Sequence, residues 1–156
     1  MSSNFYRVCV DRYVAANKEF VITDCLHNSL HTVNKARCEM LKLVDDAISI
    51  KSLKLEFEKY NDDSIGIFSI DGNGNKLYNV IYYVTEVIAD SNDQYNYRNF
   101  EIFKNNNNWF IRSSKSGVIS YKSELNEALL YVDCIIAAMK NIENFNKYIQ
   151  IVENNE

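Results

Sequence analysis

The stretch from Ser52 to Asp90 constrains this chain more than any other. It holds three strand-like runs. Leu53-Lys54-Leu55-Glu56-Phe57-Glu58 alternates apolar and charged residues with period two, the pattern of a strand with one wet face. Ile65-Gly66-Ile67-Phe68-Ser69-Ile70 follows, and then Leu77 to Val84. Between them lie Asn61-Asp62-Asp63 and Asp71-Gly72-Asn73-Gly74-Asn75; the second supplies residues that tolerate positive φ in tight hairpins. The pattern predicts an antiparallel three-stranded meander.

The third run is apolar on both sides. Tyr78, Val80, Tyr82 and Val84 fall on one face, and Leu77, Ile81, Tyr83 and Val87 on the other. Such a strand is central and covered twice. Either helices and a further layer of the same chain cover it, or its second face meets a partner or a second copy of the chain. Left bare, it invites aggregation.

The flanking sequence supplies the remaining elements. Residues 4–14 and 19–25 read as a strand pair joined at Ala15-Ala16-Asn17-Lys18. Thr32 is an expected N-cap for a helix with Val33, Ala36, Met40, Val44, Ala47 and Ile48 on one stripe, ending near Ile50 to Lys51. Past a polar loop at Asp90 to Gln94, Tyr97 to Phe103 reads as a strand, Asn105 to Asn108 as a turn, Trp109 to Arg112 as its partner strand, and Val118 to Tyr121 as a return strand. Ser123 is the expected N-cap of a second helix, apolar at Leu125, Ala128, Leu129, Val132, Ile135, Ile136, Met139 and Ile142 and running to about Asn146. The predicted fold is α+β: a largely antiparallel sheet with two amphipathic helices packed on one face, a two-layer sandwich. The whole chain, 1–156, reads as a single domain, with a weak ββα echo relating 5–48 to 98–140 around the central meander 52–90.

A length of 156 residues, 47% hydrophobic and 13% aromatic, suffices for a substantial core and argues against disorder. The net charge of −4 and the scattered basic residues argue against non-specific nucleic-acid binding. Proline is absent, and asparagine, isoleucine, lysine and tyrosine, whose codons are AT-rich, are abundant; a low-GC bacterium, its phages and mobile elements, or a large DNA virus is the expected source. No apolar run approaches a membrane span and no apolar leader opens the chain, so the expected location is cytoplasmic, in the host cytosol if the source is viral. Cys9, Cys25, Cys38 and Cys134 are widely spaced and read as reduced, mostly buried thiols.

Four reactive side chains gather in one window: Cys25, His27, His31 and Cys38. The residue types suit zinc, but paired knuckle spacings are missing, so the cluster is a weak metal candidate and no cofactor is expected. Asp71 to Asn75 resembles the start of a calcium loop, but Tyr82 stands where the bidentate Glu belongs. Phosphate-binding glycine loops and the nucleophile-elbow and zinc-protease motifs do not occur. The more suggestive set is aromatic and basic: Tyr82, Tyr83, Tyr95, Tyr97, Trp109, Arg98 and Arg112, with Tyr121 beside them, residue types that anchor protein interfaces and stack on bases.

These features point to a non-enzymatic binding protein, an inhibitor or neutraliser of a host or rival protein in anti-defence or immunity. The alternative is a protein that sequesters a nucleotide signal between aromatics and arginines, as a homodimer or larger oligomer. A small enzyme using Cys25, His27 or His31 is the third reading.

Overall fold

The computed structural model describes residues 3–14, 20–50 and 54–154. The expected connection at 15–18, the strand residue Glu19, and positions 51–53, with Leu53 at the expected start of the meander, lie outside the described residues. Among the described residues, nine strands and two helices follow in the order β1 (Phe5–Val14), β2 (Phe20–Leu30), α1 (Val33–Ile48), β3 (Glu56–Asn61), β4 (Ser64–Ile70), β5 (Lys76–Ser91), β6 (Gln94–Tyr97), β7 (Phe100–Asn105), β8 (Asn108–Ser113), β9 (Gly117–Lys122) and α2 (Leu125–Asn154). All strand pairs are antiparallel, and the sheet curls. Its order is β2-β1-β5-β6-β7-β8-β9, with β4 also paired to β5 and β3 to β4.

The meander forms as the turn residues require. Asp71 closes its second hairpin: its carboxylate accepts from the backbone N–H of Asn73 and Asn75, each at 2.9 Å, and Gly74 takes φ 82°. Those two N–H bonds, led by the one from Asn75, hold the Asp71 carboxyl below its ordinary range. The loop is thus a hairpin turn, with Asp71 Oδ1 committed to its own backbone.

β5 is the hub. At 16 residues it runs well past the expected Val84 and pairs with β4, β1 and β6 in turn. The polar stretch Asp90 to Gln94 is a tight turn rather than a loop, with Asp93 at φ 60°. The expected strand Tyr97 to Phe103 is two strands, β6 and β7, reversed at Arg98 and Asn99, with φ 51° and 70°. Asn106 and Asn107 turn β7 into β8 with φ 50° and 66°, as the asparagine run predicts.

Each helix has its own core. α1 starts at Thr32, whose hydroxyl accepts from the Lys35 N–H at 3.1 Å, and it buries Ala36, Met40 and Val44 against Val8, Val10, Ile65, Ile67 and Tyr82. α2 begins one residue after expectation, with Glu124 rather than Ser123 accepting its first helical bond, from Ala128, and continues past Asn146 to Asn154. It buries Ala128, Leu129 and Val132 against Val87, Tyr97, Ile102 and Ile111.

The expected α+β class, the antiparallel sheet and the two helices are all present. The layer order is different. Successive side chains on a strand point to opposite faces. Val8 and Val10 of β1 lie under α1, whereas Arg7 bonds Asp133 and Asp11 bonds Lys140, both on α2. The helices therefore cover opposite faces of the central strands instead of sharing one. This also accounts for the two apolar sides of β5, since Tyr82 belongs to the α1 core and Val87 to the α2 core. At the sheet's β2 border the Asn141 carboxamide of α2 bonds both the N–H and the C=O of Val21, at 2.8 and 3.1 Å, as a neighbouring strand would.

Candidate functional site

The odd-numbered residues of β1 carry the buried polar chemistry. Arg7 is 0% exposed and Asp133, on the inward face of α2, 1%. Arg7 Nη1 donates to Asp133 Oδ2 at 2.7 Å and to the Tyr97 hydroxyl. That hydroxyl donates to Asp133 Oδ1 at 2.7 Å and lies 3.1 Å from Thr85 Oγ1. Arg98, on the β6–β7 turn, donates to the same Oδ1 at 2.8 Å and lays its guanidinium 5.5 Å from the centre of the Tyr83 ring. Tyr83 donates to Asp11 Oδ1 at 2.9 Å, and Lys140 meets Asp11 Oδ2 at 3.1 Å. Two carboxylates and three cations thus knit β1, β5, the β6–β7 turn and α2 into one network.

Burial pushes the Tyr97 phenol well above its ordinary value, and the negative charges beside it add to this. Tyr83 is raised by burial and then by the Asp11 carboxylate. Both phenols stay protonated at neutral pH and act as donors to the carboxylates. A protonated tyrosine between an arginine and an aspartate has the makings of a general acid. At 1% exposure Tyr97 presents almost nothing to solvent, and the network acts as a clamp between sheet and helix. Two Arg7 nitrogens, Nε and Nη2, are buried without a hydrogen-bond partner among the described residues.

Of the expected aromatic and basic set, the fold brings Tyr83, Tyr97 and Arg98 into this network. The other members part company. Tyr82 is packed under α1, on the opposite face. Tyr95 packs edge-on to Phe5 and against Trp109 at the margin of the α2 core. Arg112 lies on the outer surface, paired with Glu101 at 2.8 Å and 4.7 Å from the Phe103 ring centre. The expected pocket between stacked aromatics is therefore not assembled, because neighbouring residues such as Tyr82 and Tyr83 necessarily face opposite ways. An open cleft of about 1010 Å³ does bring Tyr97, Arg98, Arg112 and Lys115 together with Met139 and Lys140.

The weak metal candidate is likewise dispersed. Cys25 stands beside Cys9, His27 reaches Glu39 of α1 at 3.6 Å, and His31 and Cys38 are exposed. Among the described residues no group of three or more His, Cys, Asp or Glu side chains is placed to hold a metal ion. Cys38 and Cys134 are exposed rather than buried, each sitting on the outer side of its helix.

A second feature lies on the outer face of β7, β8 and β9. Phe103, Phe110 and Tyr121 are directly opposite one another across the three strands. Their rings form a continuous ladder, with 5.6 Å between centres at both steps. Arg112 and Val118 extend it, and Tyr121 is 61% exposed. α2 packs on the other side of these strands, over Ile102 and Ile111. Tyr121 and Val118 are exposed, whereas Phe103 and Phe110 are half-buried, with the Arg112 guanidinium over the Phe103 ring. Sequence reasoning noted Tyr121 but not its partners; their period-two spacing against Ile102 and Ile111 was the available signal.

The fold and its interior define an α+β protein with a curled antiparallel sheet held between two helices, one of them fastened by a buried ion cluster. No family model, curated protein or solved structure matches the chain. Among the described residues no helix is long and apolar enough to cross a membrane.

Proposed function

We propose that this is a non-enzymatic binding protein that inhibits or neutralises a partner protein by occluding its surface, in the manner of phage and mobile-element proteins. The observation that carries this reading is the outward-facing Phe103–Phe110–Tyr121 ladder, which ends on an exposed Tyr121 and carries Arg112 over its Phe103 end. Aromatic side chains lose little conformational freedom on binding, and aromatics and arginine together dominate interface energetics. The buried network is in keeping with the same reading, because the Asp133 carboxylate is taken up by Arg7, Tyr97 and Arg98 of the chain itself.

Affinity capture from a host lysate, run in parallel with a Tyr121→Asp variant, tests it. A protein retained by the native chain and lost with the variant is the expected result. Identical captured sets from both chains overturn the ladder as the contact surface. A second reading, nucleotide sequestration, is supported by the cleft that gathers Arg98, Arg112 and Lys115. It requires a rise in melting temperature with a nucleotide panel, and a flat response across the panel removes it.

A further inference from the structure

We propose that Cys9 and Cys25 form a site of reversible oxidation by hydrogen peroxide, closing to a disulfide that crosses β1 and β2. The two residues are direct cross-strand partners. Antiparallel partners stand about 4.5–5.5 Å apart at Cα, inside the roughly 4.4–6.8 Å window that a disulfide spans. The two thiols are close enough to perturb each other, Cys9 upward and Cys25 downward. The β1–β2 register is irregular between Val8 and Cys9, which gives the pair room to adjust.

The surroundings assign the two sulfurs different roles. Cys9 is fully buried against Thr85 and Tyr97, whereas Cys25 is half-buried and reachable from solvent. Arg7, whose Nε and Nη2 have no hydrogen-bond partner among the described residues, interacts electrostatically with both thiols. A thiolate at Cys25 gives this buried cation a second counter-charge. The Cys25 thiol lies below its ordinary value, chiefly through the hydrogen bond from Cys9 and against the effect of burial. Cys25 is thus the attacking sulfur and Cys9 the resolving one.

The chemistry balances in two steps. The Cys25 thiolate attacks one peroxide oxygen and the O–O bond breaks; with one proton taken up, the products are a Cys25 sulfenic acid and water. The Cys9 thiol then attacks the Cys25 sulfur, the S–O bond breaks, and a second water leaves as the disulfide forms. Overall, two thiols are oxidised and one peroxide is reduced to two waters. A dithiol such as dithiothreitol reverses it, becoming a cyclic disulfide as both thiols return.

The test uses the full chain with Cys38→Ser and Cys134→Ser, so that only the pair reacts. Folded protein exposed to peroxide is expected to lose both titratable thiols and the mass of two hydrogens. Peptide mapping should recover Cys9 bridged to Cys25, and dithiothreitol should restore both thiols. In a further Cys9→Ser variant, dimedone should trap a sulfenic acid on Cys25; with Cys25→Ser instead, Cys9 should stay reduced over the same time. The bridge is also mapped on the unsubstituted chain, which keeps the result independent of how well the variants fold. Oxygen adducts without a bridge, or a Cys9 that reacts as fast without Cys25, overturns the proposal.

Discussion

β1 divides the molecule into two regions built on different principles. On its even side, Val8 and Val10 meet Met40 and Val44 of α1 in an apolar core. On its odd side, Arg7 and Asp11 meet Asp133 and Lys140 of α2 through ions and phenols. The first region draws on area removed from water, which is non-directional and tolerates repacking. The second draws on geometry, because a buried charge is tolerated only while its partner stays in place. One strand thus holds one helix by shape and the other by register.

The contrast breaks first at Asp133. Replacing it by alanine leaves Arg7 buried and unpaired, and a loss of about 3–5 kcal/mol is expected in urea unfolding. A loss near the ~0.5 kcal/mol of ordinary surface changes would mean that the cluster holds nothing together. The double replacement Arg7→Met with Asp133→Leu sharpens the point, since removing both charges should recover most of that loss. On the other side, Met40→Ala should cost about 2–5 kcal/mol, the usual range for emptying a core position, according to how far its neighbours close the cavity.

A smaller effect separates the regions by pH. Tyr97 and Tyr83 are raised in the folded state above their unfolded value near about 10. Their contribution is complete below that unfolded value and is lost as pH rises through the folded one, because the unfolded chain releases these protons first. The melting temperature should therefore fall as pH climbs beyond about 10, less steeply in Tyr97→Phe and with unchanged slope in Met40→Ala. The smallest effect is local: Thr32→Ala removes the cap of α1 and should cost about 1 kcal/mol in the same unfolding assay, without altering the alkaline slope.

The two regions also differ in how far they could be read in advance. The α1 side follows from periodicity: Thr32, Ala36, Met40 and Val44 announce the helix, and the Asp71 to Asn75 turn announces the meander. The α2 side hides in residues that break periodicity. Arg7 and Asp133 are charges inside apolar stretches, and each resembles a surface position until its partner is known. Their separation of 126 residues leaves no local signal for the pairing. The turn at Arg98 and Asn99 escaped for a related reason. Arginine seldom adopts φ near 51°, and the bond from Arg98 to Asp133, which ties down this turn, exists only in the assembled fold. Of the expected site, Tyr83, Tyr97 and Arg98 were nameable as residues but not as parts of a clamp. The face of a strand that an aromatic occupies depends on where each strand begins, and splitting 97–103 into two strands reassigned it.

The same separation has a consequence in time. During synthesis Arg7 emerges 126 residues before Asp133, which at about 5–20 residues per second is an interval of roughly 6–25 s. The α1 side of β1 can close once β5 has been made, but its other side waits for the final helix. Throughout that interval a cation and the Cys9 and Cys25 thiols stand open to solvent or to a chaperone. The nascent chain is then at its most vulnerable, and any truncation before residue 133 fixes it in that state.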